Sequence, residues 1–236
     1  MDFAELREMA WQANMNLNAH GLTPLTWGNA SVVDRARGVL AIKPSGVGYD
    51  RLQTEDIVVV ALADGHVVSG WLHSSSDTPT HRTLYLGFSE VGAVVHTHSV
   101  HATAWAQLAR PLPCLGTTHA DHFRGAVPVA RELTAEEIAT NYEEACGIAI
   151  VETFRREHIS PPEIPAVFLA GHAAFVWGAT APDAVQNAVA LEAVPRMALL
   201  MGAHLGVVGE LAEPLRRKHF ERKHGPQAYY GQEPGS

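Results

Sequence analysis

Cysteine is scarce in this chain. The two present, Cys114 and Cys146, form no CxxC pair, and two such residues build no disulfide framework. Long apolar runs are missing as well. None approaches the roughly 20 residues that a membrane-spanning helix needs, so no membrane partner is expected. There is no Walker A pattern and no GxGxxG after a strand, so a nucleotide is not implied. Repeats, low-complexity segments and linkers are absent. Positive charge is in short supply, with 17 Lys and Arg against 25 Asp and Glu and a net charge of −8. That balance argues against broad nucleic-acid binding but leaves room for a local basic pocket that takes an anionic metabolite. The opening MDFAELREMAWQ is amphipathic and charged. It lacks a basic region followed by an apolar one, so the expected compartment is the cytoplasm.

What is present suits an ordinary globular protein. The chain has 236 residues, 47% hydrophobic and 18% charged, enough for one sizeable core. One domain over 1–236 is expected. Residues 2–20 read as a helix, with Phe3, Leu6, Ala10, Ala13 and Leu17 at helical spacing and Gly21 and Pro24 as the stop. Strands are expected over 30–33, 39–43, 57–62 and 66–69, the last two joined by the hairpin signal Asp64-Gly65. Thr78 as N-cap and Pro79 at the first helical position open a helix to about Phe88. A strand over 91–98 and a helix over 101–109 follow. The capping box Thr134–Glu137 starts a helix that should end near Gly147. Strands are expected over 148–151 and 166–170. A long helix begins at Pro182, with a kink or break at Pro195, because an interior proline costs roughly 3 kcal/mol. A charged helix over 214–224 and a polar tail complete the chain. The pattern fits an α/β chain of the layered α+β type.

Three groups of residues carry chemistry. His96-Thr97-His98 ends an apolar run, and side chains at i and i+2 of a strand share a face. His172 ends a second apolar run. Three imidazoles with an open position are the layout of a catalytic zinc site, although imidazole also suits manganese or iron. Asp77, just before a helix, could bind the metal, act as a base, or cap the helix. The second group is an anion site: Lys43-Pro-Ser-Gly46, Gly28-Asn29 and the Ser74–Ser76 loop supply one ammonium, hydroxyls and backbone N–H groups. Asp121, His219 and Tyr230 form the third group. Each can move a proton, but spacing alone does not bring them together.

The segments LTWGNASVVD (25–34), IKPSGVGYD (42–50), SSSDTPTH (74–81), VVHTHSVHATAWAQ (94–107), GTTHADHFRG (116–125) and RKHGPQAYYGQ (222–232) resemble the L-ribulose-5-phosphate 4-epimerase branch of the class II aldolase/adducin superfamily. The resemblance runs essentially the full length. It implies a central, mainly antiparallel sheet flanked by helices. It implies a divalent metal, usually zinc with manganese as an alternative, on His96, His98 and His172, with Asp77 near enough to be a fourth ligand. Asn29, Lys43, Ser45, Gly46, Ser75 and Ser76 would hold the phosphate of a ketopentose. Asp121 and Tyr230 would be the acid/base pair, with His219 supporting, and would reach the metal of a neighbouring subunit in a homotetramer. The implied activity is a C4 epimerisation through C3–C4 cleavage. A class II aldolase of the L-fuculose 1-phosphate type is the first alternative, and a non-catalytic adducin-like module the second. Departures from the family pattern are Ala173 after the third histidine, His122 and Arg124 where aromatics are frequent, and Pro195.

Overall fold

The computed structural model describes residues 2–202, 206, 209–226 and 228. Eight strands form one sheet: β1 (Asn29–Asp34), β2 (Val39–Ile42), β3 (Val58–Ala61), β4 (Val67–Ser69), β5 (Ala93–Thr97), β6 (Val129–Ala130), β7 (Ala166–Leu169) and β8 (Ala174–Gly178). Their order is β4-β3-β2-β1-β5-β8-β7-β6. Every pairing is antiparallel except β6 with β7, so the expected mainly antiparallel sheet is found. The inner strands are apolar on both faces because both are covered. Val58–Val60, Val94, Val95 and Val167–Phe168 are fully buried, as a sheet sandwiched between helices requires.

The helices are α1 (Ala4–Ala19), α2 (Thr78–Gly87), α3 (Val100–Ala106), α4 (Thr117–Ala120), α5 (Ala135–Thr140), α6 (Tyr142–Arg156), α7 (Ala181–Leu200) and α8 (Glu213–His224). Helices α1, α3 and α7 pack together against the sheet, and α2 packs on α6 across its other face. The amide of Asn14 in α1 ties the first layer to β1, donating to Ala30 O at 3.0 Å while Ala30 N donates back to Asn14 Oδ1 at 2.8 Å. Among the described residues, no helix is long and apolar enough to cross a membrane.

Several expectations are overturned. The segment 148–151, read as a strand, lies within α6. Its apolar run belongs to a helical stripe, with Ala145, Cys146, Ala149, Ile150, Thr153 and Phe154 all buried, and four apolar residues alone do not separate the two periods. The helix capped by Thr134 does not reach Gly147. It stops at Thr140, turns at Asn141 (φ −137°, ψ 55°) and restarts as α6. Gly147 is interior to α6, where a Cβ would lie 2.6 Å from that of Thr83; the glycine lets α6 cross close to α2. Thr78 is the first residue of α2 rather than its cap, the cap position being Asp77. Helix α7 runs unbroken through Pro195, whose missing N–H leaves the carbonyl of Leu191 without its helical partner. Strands β6 and β8 had no counterpart in the sequence reading.

Candidate active site

Strand β5 lies between β1 and β8, and its end carries His96 and His98. His172 sits in the turn from β7 to β8, after Gly171 at φ +68°. Ligand atoms of the three imidazoles all lie within 4.8 Å of one another. Nε2 of His96 and Nε2 of His98 face each other at 3.1 Å. Nitrogens on a tetrahedral zinc ion stand about 3.3 Å apart. The form of His96 also suits a ligand. Its Nδ1 is 2.9 Å from the carbonyl of Ala174, brought there by the β5–β8 pairing. A carbonyl only accepts, so Nδ1 carries the proton and Nε2 is bare. Burial, then the neighbouring His96, holds His98 below the ordinary histidine range. Burial, then His96 and His98, lowers His172 to about 4. The bare Nε2 of His96 faces the other two imidazoles, and a donor set of three imidazoles fits a divalent metal.

Asp77 is not one of the converging donors. Its Oδ2 accepts from the Asn29 amide at 2.7 Å and from the Ser75 hydroxyl at 3.4 Å. It makes no side-chain cap to α2. Burial raises its pKa, but the neighbouring imidazoles of His96 and His81 and the hydrogen bond from Asn29 outweigh that, and the carboxyl lies below its usual range.

The anion-site residues come together beside this centre. Pro44 bridges to Ser74, Ser45 N donates to His73 O at 3.0 Å, and Ser75 N donates to Lys43 O at 3.1 Å. The Lys43–Gly46 turn and the serine loop are therefore one surface, with Ser45, Gly46 and Ser76 exposed. Beneath it lies the Lys43 ammonium, in a residue only 2% exposed. Its contacts are the Pro44 carbonyl at 3.4 Å and the face of Tyr49 at 4.8 Å; no carboxylate pairs with it among the described residues. Burial lowers its pKa to about 8. A buried cation without an anion is costly, and a phosphate would relieve it.

Asn29 is placed differently from a simple phosphate donor. Both of its amide hydrogens are committed, to Ser75 Oγ at 3.0 Å and to Asp77, while its buried Oδ1 has no partner among the described residues. It joins the phosphate side of the site to Asp77 and lies opposite His96 in the β1–β5 ladder. Gly28 makes that approach possible. Its φ is +79°, and a Cβ there would lie 2.7 Å from the His96 carbonyl oxygen.

Asp121 and His219 do meet, Oδ1 to Nδ1 at 3.0 Å, and His224 Nε2 lies 3.0 Å from the Asp121 carbonyl. They are not brought to the imidazoles of their own chain. Asp121 and His224 line a cleft with Glu90, Val91 and Trp177–Ala179. That is the end of β5 and β8 where Ala93 pairs with Gly178, whereas the imidazoles lie where Thr97 pairs with Ala174. Tyr230 lies outside the described residues.

Sequence reasoning missed three contributors: Tyr49, Tyr142 and His81. Tyr49 is buried, donates to Gly28 O at 2.9 Å and floors the Lys43 site. Tyr142 reaches His172. His81 is wholly buried behind the centre, and burial lowers its pKa to about 3. Its tautomer follows from counting protons. Tyr85 donates to the Ser31 carbonyl at 2.9 Å, so the 2.7 Å contact between the two hydroxyls uses the Ser31 proton. The 2.7 Å contact of Ser31 Oγ with His81 Nδ1 then needs a proton on Nδ1. Nε2 is left as a bare, buried acceptor without a partner among the described residues. In the sequence, the only cue for His81 was its place at the end of the serine motif.

The fold and the three-imidazole centre define a metal-dependent aldolase-like protein. The model of the Class II Aldolase and Adducin N-terminal domain family matches residues 8–199, and the chain belongs to that family. Within it, the chain is 47% identical over 228 residues to "L-ribulose-5-phosphate 4-epimerase UlaF" of Salmonella paratyphi B, covering 97% of this chain and 99% of the relative. The same identity and coverage hold for the protein of that name from Salmonella typhi. Among solved structures, an L-fuculose 1-phosphate aldolase superposes with a TM-score of 0.78 at 25% identity, over 94% of this chain and 97% of the other. L-fuculose-1-phosphate aldolase from Thermus thermophilus does so with a TM-score of 0.67 at 28% identity, over 88% and 100%.

Proposed function

We propose that this protein is an L-ribulose-5-phosphate 4-epimerase, interconverting L-ribulose 5-phosphate and D-xylulose 5-phosphate. The observation that carries the reading is the juxtaposition of three converging imidazoles with a buried lysine, unpaired among the described residues, beneath a hydroxyl-lined turn. Near full-length identity to proteins named as that epimerase supports it.

The chemistry follows from the substrate. The C4 hydrogen of the ketose is not acidic, so deprotonation cannot invert that carbon. C4 is β to the C2 ketone, and a retro-aldol cut between C3 and C4 yields the enediolate of dihydroxyacetone and glycolaldehyde phosphate. The aldehyde turns, its other face is attacked, and C4 is re-formed inverted. Lys43, with Ser45, Gly46, Ser75 and Ser76, holds the phosphate through the cleavage, so the two-carbon fragment is retained. Asn29 orients Ser75 and Asp77. His96, His98 and His172 hold a divalent cation, zinc or alternatively manganese. That ion supplies Lewis-acid stabilisation of charge on the ketose oxygens, worth several kcal/mol. Asp121 and Tyr230 exchange the C4 hydroxyl proton on the two faces, with His219 fixing the Asp121 carboxylate.

The acid/base residues come from a neighbouring subunit in a homotetramer. The placement of Asp121 at the far end of β5 and β8 from its own imidazoles supports that arrangement. The enzyme acts in carbohydrate metabolism in the cytoplasm, on a ketose supplied by L-arabinose or L-ascorbate breakdown.

An aldolase reading draws on the fuculose-phosphate aldolase superpositions. The short carboxylate of Asp77, tied to Asn29 and Ser75, favours the epimerase, since related aldolases carry a longer glutamate base there. Product analysis separates the two. With metal and L-ribulose 5-phosphate, D-xylulose 5-phosphate is expected to accumulate to equilibrium without free glycolaldehyde phosphate. Stoichiometric release of that aldehyde would make the protein an aldolase.

A further inference from the structure

The three imidazoles are not oriented in the same way. His96 is fixed by the sheet: its Nδ1–H points at the Ala174 carbonyl, and its ring stacks on Phe175 with centroids 4.3 Å apart. His172 lies in a turn, and its Nδ1 meets a side chain instead, the hydroxyl of Tyr142 at 3.2 Å. The ring centroids of the pair are 6.1 Å apart at 39°, so the contact is made through the hydroxyl rather than by stacking. Tyr142 is the first residue of α6 and stands directly after the turn at Asn141. The break between α5 and α6 is what places a phenol at this spot.

Counting protons gives the contact its meaning. If Tyr142 donated to Nδ1, the proton of neutral His172 would sit on Nε2, and neither nitrogen could bind a cation. If Tyr142 accepts, Nδ1 carries the proton and Nε2 is bare, as in His96. The phenolic proton can then be taken by water, since Tyr142 is only partly buried.

We propose that Tyr142 is a positioning residue for the metal centre, accepting the Nδ1–H of His172 and so holding that imidazole in its metal-binding tautomer. The inference rests on the reading of His96, His98 and His172 as a metal centre. Cation binding at His172 Nε2 and donation from Nδ1 to the phenol are one coupled event. The α5–α6 junction, outside the sheet, thereby acts on the affinity of the centre.

The test uses the full chain stripped of metal and titrated with Zn²⁺ alone against a chromophoric chelator. Wild type is expected to bind one ion per chain. Tyr142→Phe, which keeps the ring and removes the acceptor, is expected to bind the same ion about 10–100-fold more weakly. The metal-free melting temperatures of the two should agree, which a general packing defect would not permit. A second measurement needs no variant. Nitrogen-detected NMR of the zinc-loaded wild type should show a proton on His172 Nδ1. Equal zinc affinities, a His172 Nδ1 without a proton, or a loss of turnover at unchanged zinc affinity would each overturn the role. A wild-type protein that binds no zinc would instead sink the metal-centre reading itself.

Discussion

Replacing Lys43 with methionine is expected to raise KM for L-ribulose 5-phosphate by about 100-fold and, in the same molecule, to make the fold more stable. The first effect follows from removing a buried cation from a phosphate dianion. Truncating one member of such a pair typically costs 2–5 kcal/mol, and about 2.7 kcal/mol is a hundredfold. Metal content should not change, because no imidazole touches Lys43. The second effect follows from its surroundings. Lys43 is 2% exposed, has no acidic partner among the described residues, and titrates near 8 rather than 10.5 because of burial. Between those two values the unfolded chain binds more protons than the folded one, so stability rises with pH across that window. Below about pH 8 the folded protein carries the whole cost of the buried charge. Methionine removes it, and a gain of about 1–2 kcal/mol in chemical denaturation at pH 7 is expected. Wild-type kcat/KM should also fall as pH passes about 8 and the free enzyme loses the ammonium; the variant should lack that limb. Unchanged KM with normal folding would place Lys43 outside the site.

His98→Ala is expected to lose its bound metal and at least about 10³-fold in kcat, since the Lewis acid would go with the ligand. Tyr230→Phe is expected to keep the metal and lose turnover for want of a proton donor. The two inactive proteins, co-assembled, should recover activity. Some interfaces would join an intact imidazole cluster on one protomer to an intact Tyr230 on its partner. Metal analysis of each parent and turnover of verified hetero-oligomers check this. Activity no greater than the sum of the parents would mean that each site is built from one chain.

The parts of this site that could be read from the sequence are those set by local periodicity. Two histidines at i and i+2 leaving an apolar strand must share a face, and they do. Turn chemistry was equally readable at Asp64-Gly65, where Gly65 takes φ +83°. What escaped was set by contacts far apart in the chain. The run 148–151 had no period long enough to reveal that Phe154 and Ala145 belonged to the same stripe. Tyr49, His81 and Tyr142 are ordinary residues until folding sets them against Lys43, Ser31 and His172. The orientation of the Asn29 amide is decided by Asp77, 48 positions away. Asp121 and His219 were singled out by type, but only the strand register puts them at the opposite end of β5 and β8 from the metal cluster.

On the retro-aldol route, C4 is inverted by breaking and remaking the C3–C4 bond, never by removing the hydrogen on C4. The most direct measurement is to run the reaction to equilibrium in D₂O with added Zn²⁺ and to read C4 of the product by NMR. Retro-aldol inversion gives D-xylulose 5-phosphate that retains its original hydrogen at C4. Deuterium at that carbon, or no D-xylulose 5-phosphate from the metal-loaded enzyme, would contradict it.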